Sequence, residues 1–189
     1  PDYFSETGKL RGNPVDEWGA LRADGYRWWI DRFAHNLGLF DHVRVDHFRG
    51  FVAYWEVPAG ETTAVKGSWV KAPADDFFGT LLGRFPGFPL IAEDLGVITP
   101  DVKEVMARHG IPGMRVLQFG FTDTCEDSPH LPHNYVPNSV IYTGTHDNNT
   151  TVGWWQSASQ GIQECVRQYL GHPVTRPNWD LIRLAMMSV

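Results

Sequence analysis

Alternating strand-like and helix-like stretches place this chain in the α/β class and predict four strands of a larger parallel sheet or barrel. Two further observations carry that assignment. The strand-like runs are nearly continuous in apolar residues, as strands covered on both faces require. Three of the four lead into an acidic residue, namely Asp46, Glu93 and Asp147. In parallel strand–helix barrels, functional side chains gather at such C-terminal strand ends.

Taken in order, residues 16–38 carry Trp18, Leu21, Trp29, Phe33 and Leu37 at helical spacing, with Gly38 as the stop. Residues 42–45 predict the first strand. Residues 75–83 predict a short helix capped by Asp75 or Asp76, and residues 89–92 the second strand. Thr99 caps a helix with Pro100 in its first position, running to about Arg108 and closed by Gly110. Residues 114–119 and 139–143 predict the third and fourth strands, and helices follow near 161–170 and 178–187. No repeat, low-complexity tract or long linker interrupts this order, so residues 1–189 are expected to form one domain without an internal boundary.

At 189 residues the chain can bury a sizeable core, yet a barrel of eight strand–helix units needs roughly 250 residues. The first residue is Pro1 rather than Met, and the last residues continue a helical pattern. Both features point to part of a longer protein. The net charge of −6 argues against a nucleic-acid partner, which calls for clustered Lys and Arg. No apolar run is long enough for a membrane span, and the start lacks the build of a signal peptide. The two cysteines, Cys125 and Cys165, have no His or Cys at zinc-ligand spacing beside them, so no metal or cofactor is expected. They read as two unpaired, half-buried thiols of a reduced compartment: the cytoplasm, or a plastid stroma for a plant or algal source.

The chemistry rests on the three acids. Retaining cleavage of a glycosidic bond uses one ionised carboxylate as nucleophile and one protonated carboxyl about 5–5.5 Å away as acid. Arg44 lies two residues before Asp46 and therefore on the same face of the strand. A guanidinium there favours an ionised carboxylate, which suits Asp46 to attack. The apolar lead-in Leu90-Ile91-Ala92 suits Glu93 to be the proton donor and acceptor. Asp147, between His146 and Asn148, has the polar setting of a group that grips sugar hydroxyls. Taken singly, an Asp after a strand is most often a cap or turn residue. Three in succession, two of them flanked by His, Arg or Asn, weigh against that reading. His42, His47, His109, His130 and His133 read as ordinary polar contacts.

Eight tryptophans are a high count, and flat rings with one polar edge suit sugars as well as cores. Trp28 and Trp29 lie in mid-helix and are expected in the core. Trp154 and Trp155 follow a strand-end loop, one to shape the site and one to pack. Trp55 and Trp69, between strands, suit either a glucan groove or packing.

The motifs Arg44-Val-Asp-His-Phe-Arg-Gly-Phe51, Ile91-Ala-Glu-Asp-Leu-Gly96 and Thr143-Gly-Thr-His-Asp-Asn-Asn-Thr150 resemble those of the 4-α-glucanotransferase (amylomaltase, disproportionating enzyme) family of retaining glycoside hydrolases. Pro1-Asp-Tyr-Phe-Ser-Glu-Thr-Gly8, Gly12-Asn-Pro14, Gly25-Tyr-Arg-Trp-Trp29, Pro112-Gly-Met114, Leu117-Gln-Phe119 and His130-Leu-Pro-His-Asn134 extend the resemblance along the chain. It implies an incomplete (β/α)8 barrel, about strand units 4 to 7. It also implies that Asp46 is the nucleophile, Glu93 the general acid/base and Asp147 the transition-state stabiliser. Arg44 and His146 would contact the donor-site sugar, and Asp2, Tyr3 and Phe4 would belong to a loop closing over glucan.

The implied partners are α-1,4-glucan donors and acceptors, that is maltooligosaccharides, starch or glycogen, with no nucleic acid and no membrane. Three departures stand out: Arg11 for the family's Trp, Asp16 for its Tyr, and Asn149 for its Asp. Competing readings are an α-glucan hydrolase of the same architecture, acids that bind a divalent cation, and a glucan-binding protein without turnover.

Overall fold

A computed structural model describes residues 6–87 and 89–188. They divide into two compact units, Pro1–Ile111 and Pro112–Val189, each taken by itself below.

In the first unit, helices α1 (Trp18–Ala23) and α2 (Arg27–Leu37) precede strand β1 (Val43–Val45). After β1 comes a 3-10 turn, Phe48–Phe51, and then an antiparallel hairpin of β2 (Ala53–Glu56) and β3 (Ser68–Lys71). Helix α3 (Ala74–Arg84), strand β4 (Leu90–Ala92) and helix α4 (Pro100–Arg108) complete the unit. β1 and β4 pair in parallel, Val43 with Leu90, Arg44 with Ile91 and Val45 with Ala92. The crossover expected of parallel strands is thus present, and it carries a hairpin as well as a helix.

The helix predicted over residues 16–38 is two helices. Trp18 and Trp29 are eleven residues apart, three full turns, so periodicity alone cannot register the break. The chain reverses at Gly25 and Tyr26, with φ of +71° and +58°. A bulky residue in the left-handed region is costly and persists only where its surroundings hold it. Here the Tyr26 ring is fully buried edge-on to Phe77, and its hydroxyl donates to Asp76 Oδ2 at 2.5 Å. Burial and that carboxylate push the Tyr26 phenol up to about 12.

Asp75 and Asp76 are not caps of α3. The N-cap position is Pro73, and both acids sit in the first helical turn, where they face the positive helix end. Their carboxylates serve neighbours instead. Asp75 pairs with Arg108 and His109, which hold it below the usual carboxylate range, and Asp76 meets Arg22 and Tyr26. Thr99 occupies the cap position of α4 without accepting a helix N–H from its side chain. Its hydroxyl instead holds Asp101 below the usual range.

The core of this unit is an aromatic cluster. Phe77 touches Trp18, Tyr26, Trp29, Phe51 and Phe78, with ring centroids 5.0–5.7 Å apart. Trp29 packs against the cluster as expected, whereas Trp28 is half exposed and lies under the Arg32 guanidinium. Adjacent helical residues point about 100° apart, so two neighbours need not share one environment, and here Trp29 faces the cluster while Trp28 does not.

In the second unit, β5 (Gly113–Val116) pairs in parallel with β6 (Ser139–Tyr142). The strand predicted to reach residue 119 stops at Val116 and becomes a 3-10 turn, Leu117–Gly120. Gly120 there passes so near His130 and Leu131 that a Cβ would lie about 3 Å from them. A second 3-10 turn, Pro132–Asn134, precedes β6. Helices α5 (Thr151–Ser157), α6 (Gln160–Leu170) and α7 (Pro177–Met186) follow. Trp154 and Trp155 follow the strand-end loop as expected and belong to α5, but where one was to shape the site, both pack partly buried against the Leu117, Val166 and Leu181 core.

The expectation of two unpaired thiols is overturned: Cys125 and Cys165 are joined in a disulfide. The loop carrying Cys125 lies along α6, where Asp123 accepts a hydrogen bond from Ser159. That leaves the two Cα atoms 5.4 Å apart, within disulfide reach. Forty residues of separation gave no sign of this approach.

Two outcomes are expected. Phe77→Ala should cost about 3–5 kcal/mol in denaturant unfolding of the intact protein, because five rings lose a shared contact; a loss under about 1 kcal/mol would contradict its central place. Thiol titration of unreduced, denatured protein should find Cys125 and Cys165 unreactive until reductant is added, and two free thiols would restore the unpaired reading.

Candidate functional site

The first unit brings together three of the residues singled out by the sequence. Asp46 and Glu93 follow the paired residues Val45 and Ala92, so both acids leave the C-terminal ends of adjacent parallel strands. The ladder continues into them, since Glu93 N donates to the Val45 carbonyl at 2.9 Å and Phe48 N to the Glu93 carbonyl at 3.1 Å. Arg44 Nη2 lies 3.1 Å from Asp46 Oδ1, the same-face neighbour expected from strand geometry. The Asp46 side chain is 72% exposed and Arg44 30% exposed, so the carboxylate faces solvent over a sheltered cation.

Glu93 departs from expectation in one respect. Leu90 and Ala92 turn into the core, and the carboxylate itself meets backbone amides rather than an apolar pocket. His47 N donates to Oε2 at 2.8 Å and Leu95 N to Oε1 at 2.7 Å. The first bond depends on His47 adopting φ of +48°, a left-handed conformation uncommon outside glycine. Two amides on two oxygens fix the plane of the carboxyl group.

The 3-10 turn beyond Asp46 holds the adjoining segments as well. Arg49 Nη1 donates to the Val97 carbonyl at 2.7 Å, and its guanidinium lies 4.6 Å above the Trp69 ring. A contact of that kind contributes about 0.5–1 kcal/mol at an exposed site. Trp69 meets Trp55 edge-on across the hairpin, and the Trp55 indole donates to the Ala64 carbonyl at 2.8 Å. Sequence reasoning assigned no role to Arg49 and treated His47 as an ordinary polar residue. Neither a positive φ nor a side chain reaching 48 residues onward has a local signature.

In the second unit, β6 delivers Thr143 through Asn149. Asn148 Oδ1 accepts from Thr145 N at 2.8 Å and Thr145 Oγ1 at 2.9 Å, closing a tight turn. Asp147 and His146 stand on that turn, both exposed, with His146 Nε2 3.4 Å from Asp147 Oδ2. Beside them is an open cavity of about 290 Å³ lined by Thr143, Thr145, His146, Asn148 and buried Gln118. Gln118 Nε2 donates to the Asn149 carbonyl at 3.3 Å, and Gly144 leaves room for its amide. Gln118 was expected inside the strand over 114–119 and was given no role; it stands in the turn after β5 and lines this cavity. Asn149 accepts from Thr150 N at 2.8 Å, and Thr150 caps α5 through Gly153 N.

Asp2, Tyr3 and Phe4 lie outside the described residues. Among those described, no cluster of three His, Cys, Asp or Glu could hold a metal ion. A larger concavity of about 580 Å³, lined by Leu37, Phe40, Asp41, Arg84 and Pro89, lies before the N-terminal ends of β1 and β4, away from the acids. No helix among the described residues is long and apolar enough to cross a membrane.

The family model described as 4-alpha-glucanotransferase matches residues 1–189. The chain belongs to the 4-alpha-glucanotransferase family. It is 53% identical to a 4-alpha-glucanotransferase of Synechocystis sp. and 50% identical to that of Aquifex aeolicus, over the full length of this chain in both cases. It covers 38% and 39% of those relatives, so the chain spans less than two fifths of their length. A chloroplastic/amyloplastic relative from Oryza sativa is 45% identical, with 32% of it covered. Among solved structures, an amylomaltase from Streptococcus agalactiae in complex with acarbose superposes on 97% of this chain with a TM-score of 0.89 at 36% identity. The matched part is 37% of that structure. The described residues are thus an α/β portion with the fold of the corresponding part of an amylomaltase.

Of the departures from the family motifs, Asp16 shows an effect of its setting: burial raises its carboxyl above the usual range. Arg11 is exposed.

Proposed function

We propose that this chain is the active-site-bearing part of a 4-α-glucanotransferase. In this reading residues 1–189 belong to one (β/α)8 catalytic barrel, about its strand units 4 to 7, and the complete enzyme moves α-1,4-glucan segments between maltooligosaccharides or starch-type glucans. The observation that carries it is the pairing of β1 with β4, which sets Asp46 and Glu93 side by side at C-terminal strand ends. His47 N–H bridges from the residue after Asp46 to the Glu93 carboxylate.

Asp46 attacks the anomeric carbon of the donor while Glu93 gives its proton to the departing glycosidic oxygen, releasing the reducing-side glucan. The Glu93 carboxylate then takes the proton of an acceptor 4-hydroxyl. That oxygen displaces Asp46 and restores the starting configuration. Arg44 keeps Asp46 oriented and contacts the donor-site sugar. His146 contacts the donor-site sugar, and Asp147 grips sugar hydroxyls and stabilises the positive charge that develops on the ring. Asp2, Tyr3 and Phe4 close over the glucan. The chloroplastic/amyloplastic designation of the Oryza sativa relative supports a plastid stroma for a plant source, and the cytoplasm is the setting proposed otherwise.

Asp46→Ala in the complete enzyme should abolish maltotriose disproportionation while glucan binding persists, and Glu93→Gln should slow turnover by about 10²–10⁴-fold. Near wild-type rates in either variant would sink the assignment. Release of glucose without matching longer products would turn the reading to a hydrolase. The 189 residues expressed alone should give no turnover of maltotriose, because a partial barrel leaves sheet edges unpaired; disproportionation by that chain would refute this.

A further inference from the structure

Glu93 stands at the start of a segment, residues 93–97, that has no regular secondary structure. Gly96 adopts φ of +80° and Val97 is 72% exposed, so packing does little to hold the segment. Hydrogen bonds hold it instead, and they come from the turn that follows Asp46. At the near end, His47 N–H and Phe48 N–H reach the Glu93 carboxylate and carbonyl. At the far end, Arg49 Nη1 holds the Val97 carbonyl. Between the two lies Leu95, whose N–H supplies the bond to Glu93 Oε1.

The turn is a rigid base for this. Phe48 is fully buried and stacks on Phe78, with centroids 5.1 Å apart. Arg49 is steadied in turn by its stack on Trp69. Its Nε is buried and meets no hydrogen-bond acceptor among the described residues, so the Nη1 bond to Val97 and the contact with the Trp69 ring are its close holds, with Asp101 near enough to feel its charge.

We propose that Arg49 is a positioning residue for Glu93: by pinning Val97 it keeps the Leu95 amide on Oε1, and with it the carboxyl plane from which the proton is delivered. This rests on the reading of Glu93 as general acid/base. Losing the Val97 contact lets residues 95–97 shift, and a misplacement of about 1 Å at a catalytic group can cost about 10²-fold in rate. A lysine in place of Arg49 keeps the charge but lacks the plane that stacks on Trp69. It should restore only part of the function.

The test compares two reactions in the complete enzyme. Maltotriose disproportionation needs Glu93 as acid and as base. α-Maltosyl fluoride with azide as acceptor needs neither, because fluoride leaves without a proton and azide attacks as an anion. Arg49→Met should lower kcat on maltotriose by about 10–100-fold with KM within about twofold, while fluoride–azide turnover stays within about threefold of wild type. Arg49→Lys should fall between. Trp69→Leu, which keeps the arginine but removes its platform, should show the same discrimination more weakly, and it carries the test if Arg49→Met does not fold.

Equal losses in both reactions, or a raised KM at constant kcat, would overturn the proposal, since a general structural role or direct sugar contact gives those patterns. Glu93→Gln is the reference. If it discriminates between the two reactions and the Arg49 and Trp69 variants do not, the positioning role alone falls. If Glu93→Gln itself shows no discrimination, the acid/base reading fails and takes this inference with it.

Discussion

The parallel pairing of β1 with β4 is the constraint on which the rest of the first unit depends. Side chains of paired strands share a level, so matching Val45 with Ala92 places the two following residues at the same height. A slip of one residue would turn one acid to the opposite face. The register is protected by burial: Leu90 and Ala92 are both inside the core, and exposing them would cost more than any single hydrogen bond in the ladder returns. The placement of the two acids is therefore anchored by apolar residues beside them.

The aromatic cluster performs the same service from the other side. Phe48 and Phe51 bracket the turn after Asp46 and pack on Phe77 and Phe78 of α3. That packing carries the left-handed backbone at His47, whose amide is aimed at Glu93. Strained backbone persists where the surroundings over-determine it, and the buried Phe48 directly after His47 is such a surrounding. Tyr26 repeats the pattern away from the acids, with its positive φ held by a buried ring and the Asp76 carboxylate.

The second unit is organised by polar closure as much as by core. Asn148 ties the turn that presents His146 and Asp147, Gln118 ties the end of β5 to that turn, and Thr150 starts α5 immediately beyond. Short polar residues suit such a turn because their side chains substitute for missing backbone partners. The disulfide between Cys125 and Cys165 closes the loop ahead of β6 onto α6. In a chain-entropy view, closing a span of that length restricts the unfolded chain by about 4 kcal/mol.

The α/β class, the four strands that pair in parallel two by two, the helices at 100–108 and 160–170 and the neighbourhood of Arg44 and Asp46 were determined by the sequence itself. Each follows from a local rule: apolar runs of strand length, a proline in the first helical position, a period of two along a strand. The hairpin of β2 and β3 and the helix α5 carried no such periodic signal, and the break at Gly25 lay hidden in a stripe that stays in phase across three turns. Tertiary structure alone decided which side chains meet across distance. The two amides on Glu93, the reach of Arg49 to Val97 and Trp69, the placement of Gln118 and the approach of Cys125 to Cys165 all join residues far apart in the chain or set by a left-handed backbone. Local propensity acts over a few residues, whereas these contacts arise only when packing has brought separate segments together and held them there.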